Sequence, residues 1–197
     1  MNRTLTTLAS AAALSFGAAG CTTMTNDGMM DDGMSSDLAY VGGAAMYPTQ
    51  TIVQNAVNSP IHTTLVQLVQ AADLVDTLNG AGPFTVFAPT DEAFGRVPSA
   101  TVTMLTQPQN QAALQSVLTY HVVPGRVTAA QLMQMIRDGN GSASIRTVNG
   151  QSLTATMDGD FVKLTGMDGS SAYVSQADVM QSNGVIHVVN GVLTPSL

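Results

Sequence analysis

Gly82-Pro83-Phe84-Thr85-Val86-Phe87-Ala88-Pro89-Thr90-Asp91-Glu92-Ala93-Phe94 holds a strand, a sharp turn and the start of a helix in succession. Phe84, Val86 and Ala88 alternate with Thr85 and Phe87, and a run this apolar and aromatic between prolines predicts a strand covered on both faces. Pro89 ends it. Thr90 is placed as an N-cap, Asp91 and Glu92 set carboxylates over the partial positive charge of the first helical turn, and Ala93 and Phe94 begin the buried face.

Upstream, Ile52, Val53, Ala56 and Val57 fall at helical spacing within Thr51 to Asn58. Ser59-Pro60 offers a cap and a first-turn proline for a second helix, whose stripe is Ile61, Leu65, Leu68, Val69 and Ala72. His62, beside that proline, is expected to be an exposed helix-start residue. Asp73 to Leu78 adds a further helical turn, and Asn79-Gly80 leads into the central strand.

Downstream, Pro98-Ser99 marks another helix, with Val102 and Leu105 on its apolar edge and Pro108 closing it. In Ala112 to Tyr120, Leu114, Val117, Leu118 and His121 recur at three- and four-residue steps, which puts His121 on the buried edge. Val122-Val123-Pro124-Gly125 reads as a turn, and Thr128 caps a helix through Leu132, Met135 and Ile136 that stops at Asn140-Gly141. The last third changes period. Short apolar runs are separated by Asn149-Gly150, Asp158-Gly159, Asp168-Gly169 and Asn183-Gly184, dipeptides that readily adopt the positive φ angles of hairpin turns. They predict an antiparallel sheet, and a helix-rich first half before a strand-rich second half indicates an α+β domain.

Two further segments share the density of the opening stretch: Tyr120-His121-Val122-Val123-Pro124-Gly125 and Asn183-Gly184-Val185-Ile186-His187-Val188-Val189-Asn190-Gly191-Val192-Leu193-Thr194-Pro195. With Gly82 to Phe94 they resemble, in order, the first signature block, the tyrosine-histidine motif and the second signature block of the fasciclin (FAS1) domain family. The resemblance spans about Thr51 to Pro195. It implies a single fasciclin domain, a β-sandwich or wedge of antiparallel strands with helices packed around it. It also implies that Phe84, Pro89, Thr90, Asp91, Phe94, His187 and Gly191 are structural signature positions. In animal members the tyrosine-histidine motif and an Asp-Ile-containing motif before the second block are implicated in adhesion through integrins. Tyr120 and His121 match the first, and Asp178 and Val179 resemble the second, with valine in place of isoleucine. His121 carries a structural reading as well, as a bridge between helix and sheet.

Met1 to Gly20 has Arg3 in a short positive region, an apolar stretch around Leu8 to Phe16 and small residues before Cys21. This pattern is that of an export signal, and its apolar run is too short for a permanent membrane span. The sole cysteine, directly after Ala-Ala-Gly, resembles a bacterial lipobox. That resemblance implies an acylated Cys21 as the mature N-terminus; ordinary signal cleavage with a free thiol is the alternative. Thr22 to Met46, rich in Gly, Ser, Asp and Met, reads as a flexible tether. The expected organisation is a signal peptide at 1–20, a tether at 21–46 and the domain at 47–197. Met24, Met29, Met30 and Met34 among Asp27, Asp31 and Asp32 suit either soft Cu(I) ligation or a plain acidic linker.

Composition narrows the function. A formal charge of -7 with only six Lys plus Arg residues argues against binding to nucleic acid or an anionic membrane surface. A single cysteine excludes an intrachain disulfide. The three histidines, His62, His121 and His187, show no metal-ligand spacing, and no P-loop, G-x-G-x-x-G or G-x-S-x-G is present. Asp178, Ser182 and His187 have the residue types of a hydrolytic triad, but His187 between Ile186 and Val188 reads as a core histidine bonded to backbone. No catalytic residue, metal or cofactor is expected. The reading is a non-catalytic envelope-anchored or secreted protein for adhesion, surface interaction or biofilm association. Its partner would be a cell-surface or matrix protein or polysaccharide, with membrane attachment through the lipid and weak self-association. The alternative is a lipoprotein holding a small apolar or lipid-like ligand in a groove between helices and sheet.

Overall fold

The computed structural model describes residues 38–196. The chain enters on a hairpin, β1 (Ala39–Val41) and β2 (Ala44–Met46), turned by Gly42 and Gly43 at φ 60° and 87°. Val41 and Met46 point into the core. Burying such side chains contributes about 1.5 to 3 kcal/mol each, enough to hold a short glycine-turned hairpin on the domain. Ala39–Met46, within the stretch expected as tether, is therefore a hairpin packed on the domain. The signal peptide, Cys21 and the methionines at 24, 29, 30 and 34 lie outside the described residues.

Helix α1 (Ile52–Asn58) opens with a capping box: Thr51 Oγ1 accepts from Gln54 N–H while the Gln54 side chain accepts from Thr51 N–H. Helices α2 (Thr63–Ala71) and α3 (Val75–Leu78) follow, then strand β3 (Phe84–Pro89) and helix α4 (Asp91–Gly95). Thr90 caps α4 as the sequence predicts, accepting from Ala93 N–H. Two local expectations fail here. Ser59 caps the C-terminal end of α1, and α2 begins at Thr63. The cap for α2 comes from Asp91, which accepts from Thr63 N–H, Thr63 Oγ1 and Thr64 N–H at 3.2, 2.7 and 2.7 Å.

Helix α5 (Ser99–Leu105) ends before Pro108, which starts a 3-10 turn leading into α6 (Gln111–Tyr120). Val122–Pro124, read from sequence as a turn, is strand β4, paired antiparallel with β3. Helix α7 (Ala129–Asp138) has its own capping box from Thr128 and Gln131. Strands β5 (Ser142–Arg146), β6 (Ser152–Asp158), β7 (Phe161–Thr165), β8 (Ser171–Gln181) and β9 (Gly184–Val189) complete the domain.

The sheet has seven strands in the order β4-β3-β9-β8-β7-β6-β5. It is not wholly antiparallel. β3 and β9 run parallel, with Phe84 opposite Gly184 and Pro89 opposite Val189. β8 is broken by register shifts between Val174 and Val179, where Asp178 takes φ 58°. Such bulges bend a strand and fold the sheet over itself. Its two ends meet where Val148 N–H donates to the Val122 carbonyl at 2.7 Å, giving a near-closed wedge. The central pair β3 and β9 is buried on both faces. Val86, Ala88, Ile186 and Val188 pack under the helices, while Phe87 and Val189 join Tyr120, Leu132, Leu153 and Leu164 inside the wedge.

Candidate functional site

Tyr120 ends α6 with its side chain inside the wedge. Its hydroxyl donates to the Ser152 carbonyl at 2.9 Å and accepts from Met167 N–H at 3.0 Å, joining helix to two strand ends. Burial raises its pKa above the usual phenol value. His121 is 3% exposed. Its Nδ1–H donates to the Val117 carbonyl at 2.8 Å and its Nε2 accepts from Leu193 N–H at 3.0 Å. Burial pushes its pKa down to about 4, so the ring is neutral and fixed in one tautomer. This pair fastens α6 to the C-terminal segment.

Asp178 and Val179 lie at the β8 bulge. Val179 is fully buried under the helices. Asp178 Oδ1 accepts from Ala129 N–H at 2.8 Å, holding the N-terminus of α7, and its backbone N–H donates to His187 Nδ1 at 3.2 Å. His187 Nε2–H donates to the Val127 carbonyl at 2.8 Å, and its ring stacks on Phe87 at 5.6 Å. Burial lowers its pKa. Both ring nitrogens are thus spent on backbone, and the Asp178 carboxylate turns away to α7, so Asp178, Ser182 and His187 assemble no proton relay. Tyr120, His121 and Val179 offer no surface for an adhesive contact, and Asp178 is committed within the fold. Of the four residues expected as contact candidates, Tyr120, His121 and Val179 are thus interior, and Asp178 is partly buried and bonded to the start of α7.

The remaining signature positions have physical roles as well. A Cβ on Gly191 would stand 2.5 Å from the Ser171 carbonyl oxygen, so glycine lets β8 and the C-terminal segment approach. Asp91, though burial acts to raise its pKa, is held below the usual carboxylate value by its Thr64 and Thr63 donors. His62 is a correction. It is buried, not exposed, because the β1–β2 hairpin and α1 cover it, with Val41, Met46 and Ala56 lining the same small void. Its Nδ1 meets Ser59 Oγ at 2.8 Å, while Nε2 lacks a hydrogen-bond partner, and burial lowers its pKa.

An apolar concavity lies elsewhere, between α1, α2, α3 and the β3–β4 face. It encloses about 210 Å³ and is lined by Val53 and Val57 of α1, Val66 of α2, Val75 of α3, Phe84 of β3 and Val148 beyond β5. His121 is the sole ionisable side chain on its wall, and it is neutral. Val57 is 57% exposed and Val148 43%, high exposure for large aliphatic side chains. A groove between helices and sheet is the alternative the sequence offers, but the helical spacing of Ile52, Val53, Ala56 and Val57 does not tell which of them line it. In the helix Ile52 and Asn55 are buried, while Val53 and Val57 turn toward the groove. Four apolar positions on so short a helix were the available signal.

Among the described residues no cluster of His, Cys, Asp and Glu is placed to hold a metal ion, and no helix is long and apolar enough to cross a membrane. Residues 60–195 match the model of the fasciclin domain. The chain is 43% identical over 159 residues to protein sll1483 of Synechocystis, covering 81% of each chain. It is 32% identical over 160 residues to the cell surface glycolipoprotein MPB83 of Mycobacterium bovis, covering 79% of this chain and 64% of that one. Its fold superimposes on a FAS1 domain pair from the insect cell adhesion molecule fasciclin I with a TM-score of 0.65 at 19% identity, over 73% of this chain and 50% of that one. By its blocks, its wedge and these matches, the chain belongs to the fasciclin domain family.

Proposed function

We propose that this is a non-catalytic binding domain held outside the cytoplasm, and that its working surface is the apolar groove, which takes up a small apolar molecule. The observation that carries this reading is an open, nearly uncharged concavity bounded by Val57 and Val148 at high exposure, beside a tyrosine-histidine motif that is wholly interior. Concave apolar sites with few polar groups are the usual form of small-molecule sites. Gln70, Thr77 and Thr119 supply the polar fringe. The test is displacement of a fluorescent apolar probe such as phenylnaphthylamine, with Val57→Asp as the variant. Saturable binding that Val57→Asp abolishes without lowering the melting temperature supports the reading; binding indifferent to that change overturns it.

Surface attachment is the second reading, favoured by a relative named a cell surface glycolipoprotein and a structural neighbour named a cell adhesion molecule. On this reading an apolar group of a surface or matrix component enters the same groove, and beads coated with wild-type protein are retained where Val57→Asp beads are not. For localisation, Cys21 after Ala-Ala-Gly supports an acylated anchor. Metabolic labelling with an alkynyl fatty acid tests it: label on the wild type and none on Cys21→Ser is expected, and equal label on both contradicts it.

A further inference from the structure

Behind the groove lies a second void of about 30 Å³ beneath α5, lined by Val102 and Leu105 of that helix together with Phe94, Leu114 and Val192. The two voids share three wall residues, Leu65, Leu118 and His121. Resting on the groove as the binding site, we infer that the two voids are one elongated site for a single unbranched, uncharged hydrocarbon chain. Leu65 and Leu118 form the movable partition that sets how long a chain can enter.

Several observations carry this. Neither void has an Asp, Glu, Lys or Arg on its wall. The one titratable wall group, His121, has both nitrogens bonded to backbone, so it offers a chain only ring carbon. Leu65 and Leu118 are flexible aliphatic side chains, and a rotamer change in either moves the partition without breaking a hydrogen bond. The far wall is also the most weakly held helix near the site: α5 buries none of its residues and has no side-chain cap at its N-terminus. An element with few buried contacts is the one that yields at small cost. Neither wall carries a Lys or Arg that could pair with a carboxylate, so a long-chain alcohol fits better than the corresponding fatty acid.

The test is displacement of phenylnaphthylamine by straight-chain alcohols from butanol to hexadecanol, on the wild type and on Val102→Phe, whose ring fills the inner void from the α5 side. Affinity is expected to rise about fourfold per methylene while the chain lengthens within apolar walls, then to level off. The levelling point comes at longer chains in the wild type than in Val102→Phe, and the matching fatty acids bind more weakly at neutral pH. Leu118→Phe, placed in the partition, shortens the limit independently, and melting curves identify any variant that fails to fold. Methyl NMR adds a readout that needs no variant: Val102 and Leu105 signals move with tetradecanol and stay still with butanol. Equal levelling points in wild type and folded variants, or α5 methyls silent to long alcohols, overturn the continuous site while leaving the groove reading intact. Failure of every alcohol and of the probe to bind overturns both.

Discussion

Lowering the pH tests the buried clamps most sharply, and His121 is the one for which the magnitude follows from the structure. Its pKa is about 4 in the fold against an ordinary 6.5. The unfolded chain therefore takes the proton first, and stability is lost as pH falls from about 6.5 toward about 4. Between pH ~7.5 and ~4.5 this linkage removes about 2.5 kcal/mol through His121 alone. His187 and His62 have pKa values lowered by burial and add loss of the same sign. Asp91 and Asp168, lowered by their hydrogen bonds in spite of burial, begin to contribute only below the ordinary carboxylate value of 3.8. The perturbation is His121→Gln. It leaves Leu193 N–H or the Val117 carbonyl poorly paired and lowers stability at every pH by about 1 to 3 kcal/mol. The diagnostic quantity is the slope, not the offset: near pH 5 the slope of unfolding free energy against pH falls by nearly one proton relative to wild type. Urea unfolding at a series of pH values measures it. A variant whose slope equals the wild-type slope would refute the neutral, doubly bonded imidazole.

Asp91→Ala strips the cap from α2 and is expected to cost about 0.5 to 2 kcal/mol, read by urea unfolding; no change would mean the Thr63 and Thr64 bonds contribute nothing. Gly184→Ala places a Cβ 2.1 Å from the Phe84 carbonyl oxygen, backbone against backbone in the parallel pair. A loss of about 2 kcal/mol or more follows, against about 1 kcal/mol at Gly159, whose Cβ would be free but whose φ is positive. Tyr120→Phe removes the bridge between Ser152 and Met167 and lowers stability by about 1 to 2 kcal/mol, while probe binding stays as in wild type. Surface retention lost in a folded Tyr120→Phe protein would restore the motif as a contact.

What sequence could reach was local. The strand before Pro89, the threonine caps at Thr90 and Thr128, and the Asn-Gly and Asp-Gly turns are each decided by a few neighbouring residues. What it could not reach was pairing across the chain. The β3–β9 partnership leaves no turn signature, because parallel strands are never joined by a tight hairpin. Asp91 looks like an acidic first-turn residue of its own helix, and nothing nearby announces that it caps α2. His62 appears exposed until the small hairpin at Ala39 to Met46 covers it, and that hairpin's Gly and Ala content reads as linker. Tyr120 and His121 were legible as one motif, but whether it faces solvent or core depends on strands and a C-terminal segment far along the sequence. The groove itself stood among the expectations, but its lining residues were not legible for a related reason: an exposed valine and a buried one are the same letter.

The central claim is that the domain works through its groove and not through the tyrosine-histidine motif. Methyl NMR of the purified protein titrated with decanol tests this most directly. The account predicts saturable shifts at Val53, Val57, Val66, Val75 and Val148, with the exposed Met157 and Met180 methyls unmoved. An unchanged spectrum, or shifts centred away from those valines, would contradict it.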